Sequence, residues 1–530
     1  MRPAQSLGVV TGIITGVLGL TLTLTTSCGE GNPGFDPPAD EFVFPSGLML
    51  DPRIPKDEPA RWLFVVNANS DRRYNAASMV ALDLDEYWAQ AFADPSKVLP
   101  AGAALSDPDC TGDECRWCRR AANLPQVVEC DEQHFIAEDA TIHFGSFAGP
   151  AAAWDKDPAD DEAMLLVPVR GEPSITYVEL SGGLDGGDPT LECGQASDTD
   201  GHRKCDDFHR LRFLRNDPDA NRLAREPFRV LVSPQPDLPL AYISHQGAAD
   251  LTLMALDGLD VGGDGRPAIV HQAEIMTYTP NPAALSVQGG FGLAQRPCDV
   301  ESGNAPDSTL GCTRPLVYSA VRWMTALQAF TAVDHQPLPD TDQKCVGPDE
   351  LGTVGGIICE FQIERGDRID LTGLSTAGVN ISPSRPVLAD IGFTRTGNEL
   401  YVVQTNPGGL LRVDTSLGVD NDPLNVDVGQ VEVCAQPTSF VIYDDGDNEY
   451  GIVTCYRSGE VFIVDLAALT VVGLSRAGIG PDAVIVDTAR EVIYVGNSLD
   501  ATISIIDMSR TRATRFTEIG RIGLQEPYTQ

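Results

Sequence analysis

Positive charge is scarce in this sequence. Lysine and arginine together number 37 among 530 residues, against 76 aspartates and glutamates, which gives a formal net charge of -39. A surface this acidic repels the phosphates of nucleic acids and anionic lipid headgroups. The composition therefore excludes a nucleic-acid-binding protein, and charge alone would select only a basic partner or a metal ion.

Motifs of common catalytic sites are also missing. The chain contains no His-Glu-x-x-His, no Gly-x-Ser-x-Gly, no P-loop and no Gly-x-Gly-x-x-Gly followed by a helix pattern. Cys115 and Cys118 form a C-x-x-C pair, but Arg119 follows them and excludes c-type haem attachment. We therefore predict no catalytic residues, no cofactor and no metal centre. Ca²⁺ at the acidic turns 257–265 and 443–451 is kept as an alternative to solvated turns.

Only one apolar run is long enough to approach a membrane span. Residues 7–24 read "LGVVTGIITGVLGLTLTL", follow the positive charge of Arg2 and precede small residues, as in a secretory signal. Cys28 after Thr26 and Ser27 resembles the lipidated cysteine of bacterial lipoproteins. The resemblance implies a signal peptide over 1–27, a lipid on Cys28, a flexible tether over 28–41 and an anchor in the bacterial cell envelope. A plain signal peptide and an uncleaved anchor helix are the alternatives.

Cysteine usage agrees with export. Cys28 aside, the chain has an even dozen cysteines in local groups, and this pattern in an exported protein predicts disulfides. The groups are Cys193 with Cys205, Cys298 with Cys312, Cys345 with Cys359, Cys434 with Cys455, and the cluster of Cys110, Cys115, Cys118 and Cys130. Pairing inside the cluster stays open, and zinc binding by its four members is the alternative to two disulfides.

One sequence pattern recurs seven times. A short strand-like run, a small polar turn and a second run that often ends in aspartate are clearest in "VIYVGNSLDATISIID" at 492–507. The other copies lie at 62–85, 164–180, 241–257, 315–334, 399–414 and 450–465. A further run often precedes each pair, as in "PSGLMLDP", "PFRVLVSP" and "PDAVIVDTAR", and a fourth often follows. Four short strands per unit in tandem predict an all-β, seven-bladed β-propeller.

Burial gives the physical reason for a ring. In "VIYVGNS", Val492 and Tyr494 point to one face of the strand, while Ile493 and Val495 point to the other. Both faces are apolar, so each sheet needs a neighbour on both sides. A closed ring supplies that environment to every blade, which predicts one propeller domain over 42–520 and a short tail over 521–530.

The repeats resemble the YVTN family of β-propeller repeats. "IYVGNSLDATISIID" matches the family pattern best, and "LFVVNANSD" comes next. Insertions at 86–135 and 181–226 lengthen the units, and most cysteine groups lie in or beside such insertions, so disulfides are expected to pin them. Cys434 and Cys455 flank a predicted hairpin, which should bring their Cα atoms within ~4.4–6.8 Å.

Strand direction predicts one binding face. Each innermost strand begins where the second strand of its blade ends, so the turns after the second strands should share a rim with the entries to the innermost strands. These turns carry Asn67, Arg170, His245, Arg322, Asn406, Arg457 and Asn497. The arginines could bind an anion or a carboxylate, or could simply pair with nearby acidic residues.

These observations favour a monomeric, exported and lipid-anchored propeller that binds an envelope protein or a carbohydrate without catalysis. Membrane contact is expected only through the lipid. Propellers also include lactonases and cofactor-dependent dehydrogenases, so an enzyme of either type is an alternative, and a structural envelope component is another.

Overall fold

Four antiparallel strands make up the core of each repeat in the computed structural model. The structure describes residues 34–107, 110–112, 114–194, 203–213, 222–234, 239–248, 250–256, 267–274, 290–297, 316–321, 326–333, 362–371, 387–419 and 422–524. Within them, seven sheets form the blades of a β-propeller, as predicted. Residues 7–24, Cys28, Arg322, Cys298, Cys312, Cys345 and Cys359 lie outside the described residues.

The first three blades are assembled as follows. Blade 1 contains β1 (Pro45–Leu50), β2 (Trp62–Asn67), β3 (Ala77–Asp83) and β6 (Ile142–Phe144). Blade 2 contains β7 (Ala152–Trp154), β8 (Ala163–Val169), β9 (Ser174–Gly182) and β10 (Pro189–Glu192). Blade 3 contains β13 (Pro227–Val232), β14 (Leu240–His245), β15 (Asp250–Ala255) and β16 (Ala268–Glu274).

The remaining four blades have a simple up-and-down order. Blade 4 contains β17 (Gly290–Gln295), β18 (Leu316–Val321), β19 (Ala326–Val333) and β20 (Gln362–Asp370). Blade 5 contains β21 (Val387–Phe393), β22 (Glu399–Asn406), β23 (Gly409–Asp414) and β24 (Val426–Glu432). Blade 6 contains β25 (Pro437–Asp444), β26 (Glu449–Cys455), β27 (Glu460–Asp465) and β28 (Thr470–Arg476). Blade 7 contains β29 (Pro481–Asp487), β30 (Val492–Asn497), β31 (Thr502–Asp507) and β32 (Glu518–Ile522).

The hydrophobic core is divided among the gaps between neighbouring blades. In β30, Val492 and Tyr494 pack in a cluster with residues of blade 1, whereas Ile493 and Val495 pack in a cluster with residues of blade 6. This is the two-sided burial that the alternating sequence predicts. The innermost strand β29 contacts β1, so blade 7 meets blade 1 and the ring is closed.

The two predicted insertions add strands to neighbouring blades, and the second also adds a strand to blade 2, its own blade. Their strands are β4 (Cys118–Arg120), β5 (Val128–Cys130), β11 (Arg203–Lys204) and β12 (Arg210–Leu211). From the first insertion, β5 pairs in parallel with β32 and extends blade 7. From the second, β11 pairs in parallel with β6 and extends blade 1. The insertions therefore tie neighbouring blades together.

Helical structure in the described part of the chain is confined to the segment between β3 and β6, which contains the first insertion. It consists of α1 (Leu84–Trp88), a π-helical turn (Ala89–Ala93) and three 3₁₀ turns (Pro95–Lys97, Glu132–His134 and Glu138–Ala140). Within the described ranges, no helix has the length and hydropathy that a bilayer crossing requires.

Disulfides pin the insertions, as the fold prediction expected. The described pairs are Cys110–Cys115, Cys118–Cys130, Cys193–Cys205 and Cys434–Cys455. The first two resolve the pairing that the sequence left open. Cys434 and Cys455 join the start and end of the blade 6 hairpin, with Cα atoms 6.0 Å apart. Such a set of disulfides indicates an oxidising, extracytoplasmic compartment.

Candidate functional site

The innermost strands begin at one end of the central channel, which we call the mouth. Four of these strands begin with proline, which lacks an N–H and so suits a strand start. In each of them the pairing register shifts by a bulge directly after the proline. The residues after the prolines are Ser46, Phe228, Thr438 and Asp482. Bulges re-aim side chains and are common beside active sites, and all four residues line one cavity.

This channel cavity has a volume of about 140 Å³ and is built from several blades. Its hydroxyl groups mostly bridge neighbouring blades. Thr405 donates to the carbonyl oxygen of Pro437 (3.0 Å), and Thr438 donates to that of Pro481 (3.3 Å). Ser46 donates to the carbonyl oxygen of Ala148 (3.2 Å). These hydrogen bonds join neighbouring blades at the mouth, so the hydroxyl groups serve the structure. The charged side chains are the groups that remain available for chemistry.

Arg229 and Asp390 form an ion pair across the mouth. Arg229 of blade 3 reaches past blade 4 to blade 5, where its Nη2 lies 2.7 Å from Oδ2 of Asp390. Gly292 of blade 4 makes room, because a Cβ there would lie 2.8 Å from the Cα of Asp390. The backbone N–H groups of Ile391 (2.9 Å) and Phe440 (3.0 Å) also donate to the Asp390 carboxylate. Asp390 is therefore fully engaged in orienting Arg229.

Asp482 is a carboxylate that lines the channel cavity itself. Burial raises the pKa of Asp482, while the charges of Arg229 and Arg170 oppose this rise. The neighbouring Asp390 raises this pKa further, and a hydrogen bond with Thr438 lowers it. A partly exposed carboxylate with a raised pKa beside two arginines has the properties of a general base.

Arg170 completes the charged set. Its Nε donates to the carbonyl oxygen of Phe147 (3.2 Å), and its Nη1 donates to Oε1 of Gln246 (2.8 Å). Its guanidinium also lies over the ring of Phe228, 5.4 Å from the centroid. Burial lowers the pKa of Arg170, and the charges of Asp482 and Glu226 counteract that effect. Two fixed guanidinium groups beside Asp482 can bind an anion or stabilise an oxyanion.

The predicted binding face is only partly available to a ligand. Arg170 lines the channel cavity, while Asn406 is exposed at the end of β22 and Arg457 is exposed in the turn after β26, at the same end of blades 5 and 6. Arg322 lies outside the described residues. The other three residues, Asn67, His245 and Asn497, are buried inside their blades.

Each of the three buried residues has a partner within its blade. Asn67 donates to Oγ of Ser78 (3.1 Å), and Asn497 donates to Oγ1 of Thr502 (3.0 Å). Nε2 of His245 lies 2.8 Å from Oγ1 of Thr252. Burial lowers the pKa of His245 to about 3, so its imidazole is neutral.

Of the two candidate calcium turns, 443–451 lies within the described residues. In the turn 443–451, Asp445 pairs with Arg515 (3.0 Å), and both Asp445 and Asp447 pair with Arg510. These carboxylates are thus engaged by arginines. The turn 257–265 lies outside the described residues.

The sequence did not identify Arg229, Asp390 or Asp482. The turns after the second strands led to Arg170 and otherwise to residues that support the blades, whereas Arg229, Asp390 and Asp482 lie within the innermost strands. The sequence did contain a signal for the cavity-lining positions. Proline recurs at the start of the innermost strand in "PSGL", "PFRV", "PTSF" and "PDAV", and the residue after it differs from blade to blade. The ion pair of Arg229 with Asp390 had no signal, because 161 positions separate the two residues.

No family model matches the chain, and no curated protein matches it. Solved structures of similar fold include the periplasmic gluconolactonase of Pseudomonas aeruginosa, at 12% identity and a TM-score of 0.43, covering 81% of this chain and 84% of that chain. A candidate 6-phosphogluconolactonase from Bacteroides uniformis has 14% identity and a TM-score of 0.40, covering 81% and 83%. Kuenenia stuttgartiensis hydrazine synthase has 11% identity and a TM-score of 0.42, covering 89% and 97%. Superpositions of this quality assign no role to any residue of this chain.

The prediction of a non-enzymatic binding or scaffold protein is corrected by these findings. Proteins named as gluconolactonases are among the solved structures of similar fold. The mouth also holds a cavity lined by Asp482, Arg170 and Arg229, charged side chains that no sequence motif indicated. What remains of the sequence-based prediction is its alternative, a propeller enzyme of the lactonase-like type.

Proposed function

We propose that this protein is an exported hydrolase of lactones or related cyclic esters. The observation that carries the proposal is Asp482, a carboxylate with a raised pKa that shares the channel cavity with Arg170 and Arg229. The structures named as gluconolactonases agree with this reaction class but do not carry the argument.

The reaction follows from the roles of the three side chains. Asp482 accepts a proton from a water molecule, whose oxygen attacks the lactone carbonyl carbon. Arg229 and Arg170 stabilise the negative charge that develops on the carbonyl oxygen. The ring C–O bond then breaks, and the proton passes from Asp482 to the departing alkoxide, so that lactone and water give a hydroxy acid. Asp390 keeps Arg229 in position.

The cellular location of the protein is part of the same proposal. The positive start at Arg2, the apolar run 7–24 and the small residues before Cys28 support export and a lipid on Cys28. The YVTN-like repeat at 492–507 supports an envelope propeller. We infer a monomer that meets its carbohydrate-derived substrate outside the cytoplasm.

Hydrolysis of glucono-δ-lactone and its 6-phosphate, measured as acid release above the spontaneous rate, tests the proposal. The Asp482→Asn variant should lose about 100-fold or more of kcat, the range of a general base. Glu432→Gln is the matched control, because Glu432 is exposed on the outermost strand of blade 5. Full activity in Asp482→Asn, or no hydrolysis of either lactone by the native protein, would refute the function.

A further inference from the structure

Phe147 and Phe228 lie beside Arg170 at the mouth, and Phe44 lines the same cavity as Arg170; we call these three phenylalanines the aromatic collar. The guanidinium carbon of Arg170 lies 6.0 Å from the ring centroid of Phe147 and 5.4 Å from that of Phe228. Phe44 and Phe228 line the channel cavity. All three residues are only half-buried, so the collar retains apolar surface that the fold does not cover.

Two collar residues have a strained backbone. Phe44 has a φ of 59° and Phe147 a φ of 62°, in the left-handed region that glycine tolerates and bulky residues avoid. Strain of this kind clusters at functional sites, where surrounding structure holds it in place. The same backbone conformation recurs before the first proline of other innermost strands, at Glu226 (φ 55°) and Gln436 (φ 63°), so what distinguishes position 44 is a phenylalanine ring that lines the cavity.

Backbone contacts hold the strained residues, and these contacts do not depend on the rings. The N–H of Ala68 donates to the carbonyl oxygen of Phe44 (3.0 Å), and the N–H of Phe147 donates to that of Ala68 (2.7 Å). The side chain of Asn67 accepts from the N–H of Val43 (3.0 Å) and fixes the approach to Phe44. Any residue at position 44 could make these backbone bonds, so they do not explain the phenylalanine.

We propose that the aromatic collar binds the substrate through the C–H face of a single ring, such as a sugar ring, while Arg170 meets its polar edge. The negative faces of aromatic rings attract such C–H groups. Phe44, Phe228 and Arg170 line one cavity, so a single ring can meet the apolar and the charged side chains together. The inference rests on the proposed function for the position of the reacting bond, but binding can be measured without any reaction.

Calorimetric titration of the full chain with D-glucono-δ-lactam, a cyclic probe that resists lactone hydrolysis, tests the collar. The Phe44→Gly variant should bind the lactam about tenfold more weakly, a loss typical of one good contact. Its melting temperature should be unchanged or higher, because glycine relieves the strain at position 44. Phe35→Gly is the matched control, since Phe35 lies nearby in sequence and is 79% exposed.

Open-chain gluconate serves as the second probe, because it has no ring face and its affinity should not depend on Phe44. Unchanged lactam affinity in Phe44→Gly overturns the collar, whether or not the native protein hydrolyses lactones. If that variant melts lower, Phe228→Leu decides instead: retained lactam affinity overturns the proposal, and a tenfold loss with an intact fold supports it. If lactam binding depends on Phe44 but the native protein hydrolyses no lactone, only the proposed reaction is refuted.

Discussion

At the scale of single residues, the two aspartates of the mouth differ in what their surroundings leave them free to do. Asp390 accepts two backbone N–H groups and the guanidinium of Arg229. The arginines act on Asp482 mainly through the electrostatic attraction of their charges. Burial raises the pKa of both carboxyl groups, but three donors already bind Asp390, whereas Asp482 lines the cavity, where a proton can be exchanged. The proposed reaction therefore assigns the acid–base role to Asp482.

The pH dependence of hydrolysis should report this role. Asp482 must be ionised to act as a base, so kcat/KM should fall as the pH drops through its raised pKa, above the usual carboxyl range. Arg170 lowers this pKa, so Arg170→Gln should move the acid limb to higher pH. Arg457→Gln, which changes an exposed arginine at the same end of the ring, should not move it. A limb that stays in place in Arg170→Gln, or moves to lower pH, would exclude Asp482 as the base.

Glu132 should make the stability of the first insertion pH-dependent. Burial raises its pKa to about 8, and the nearby Asp131 and Glu41 add to the rise. A carboxyl whose folded pKa is raised contributes stability at low pH and loses it as the pH climbs through the folded pKa. Glu132→Gln should therefore gain in melting temperature over the native protein between pH ~5 and ~9. Glu138→Gln, at an exposed position nearby, is the control, and a constant difference for Glu132→Gln across this range would contradict the prediction.

At the scale of elements, the hairpin repeat could be predicted and the mouth could not. Alternation in stretches such as 492–497 sets which side chains enter which gap, because the period of a strand is two. The bulges after Pro45, Pro227, Pro437 and Pro481 break that period locally. Side chains at these points turn toward the channel for reasons of strand pairing that alternation alone does not contain.

The strands that the insertions add could not be predicted either, because their partners are distant in sequence. β5 pairs with β32 of blade 7 although nearly the whole propeller separates them in sequence. Three residues of ordinary β character carry no mark of so distant a partner. The cysteines that pin β4 to β5 were visible in the sequence, but the blade they join was not.

The disulfide Cys434–Cys455 should stabilise the protein more than Cys110–Cys115. On the chain-entropy account, closing a loop of 21 residues contributes about 3 kcal/mol and closing one of five about 2 kcal/mol. Replacing each pair by serines should lower the free energy of unfolding in that order, measured by denaturant titration. Peptide mapping of non-reduced protein should recover the 434–455 pair, and a free thiol at either position would contradict the assignment.

At the scale of the whole molecule, the ring has no single centre of stability, because each gap between blades has its own apolar cluster. Closure was predictable from seven copies with two apolar faces. The function was not, since the same ring supports many chemistries and the decisive charged groups meet only after closure.

The proposed lipid attachment of the whole molecule can also be tested. Metabolic labelling with a fatty acid should mark the native protein and be lost in Cys28→Ala, because the lipid would be attached to that sulfur. Cys434→Ala serves as the control and should remain labelled. Labelling that persists in Cys28→Ala would contradict the anchor.

The entry of the chain into the propeller has a mechanical consequence. Val43 is held by Asn67 and Phe44 borders the channel cavity, so the polypeptide joins the ring at the mouth and not at the opposite face. The segment 36–42 therefore leaves the ring beside the opening that leads to Asp482, so anything bound to that segment shares the opening with the reactants.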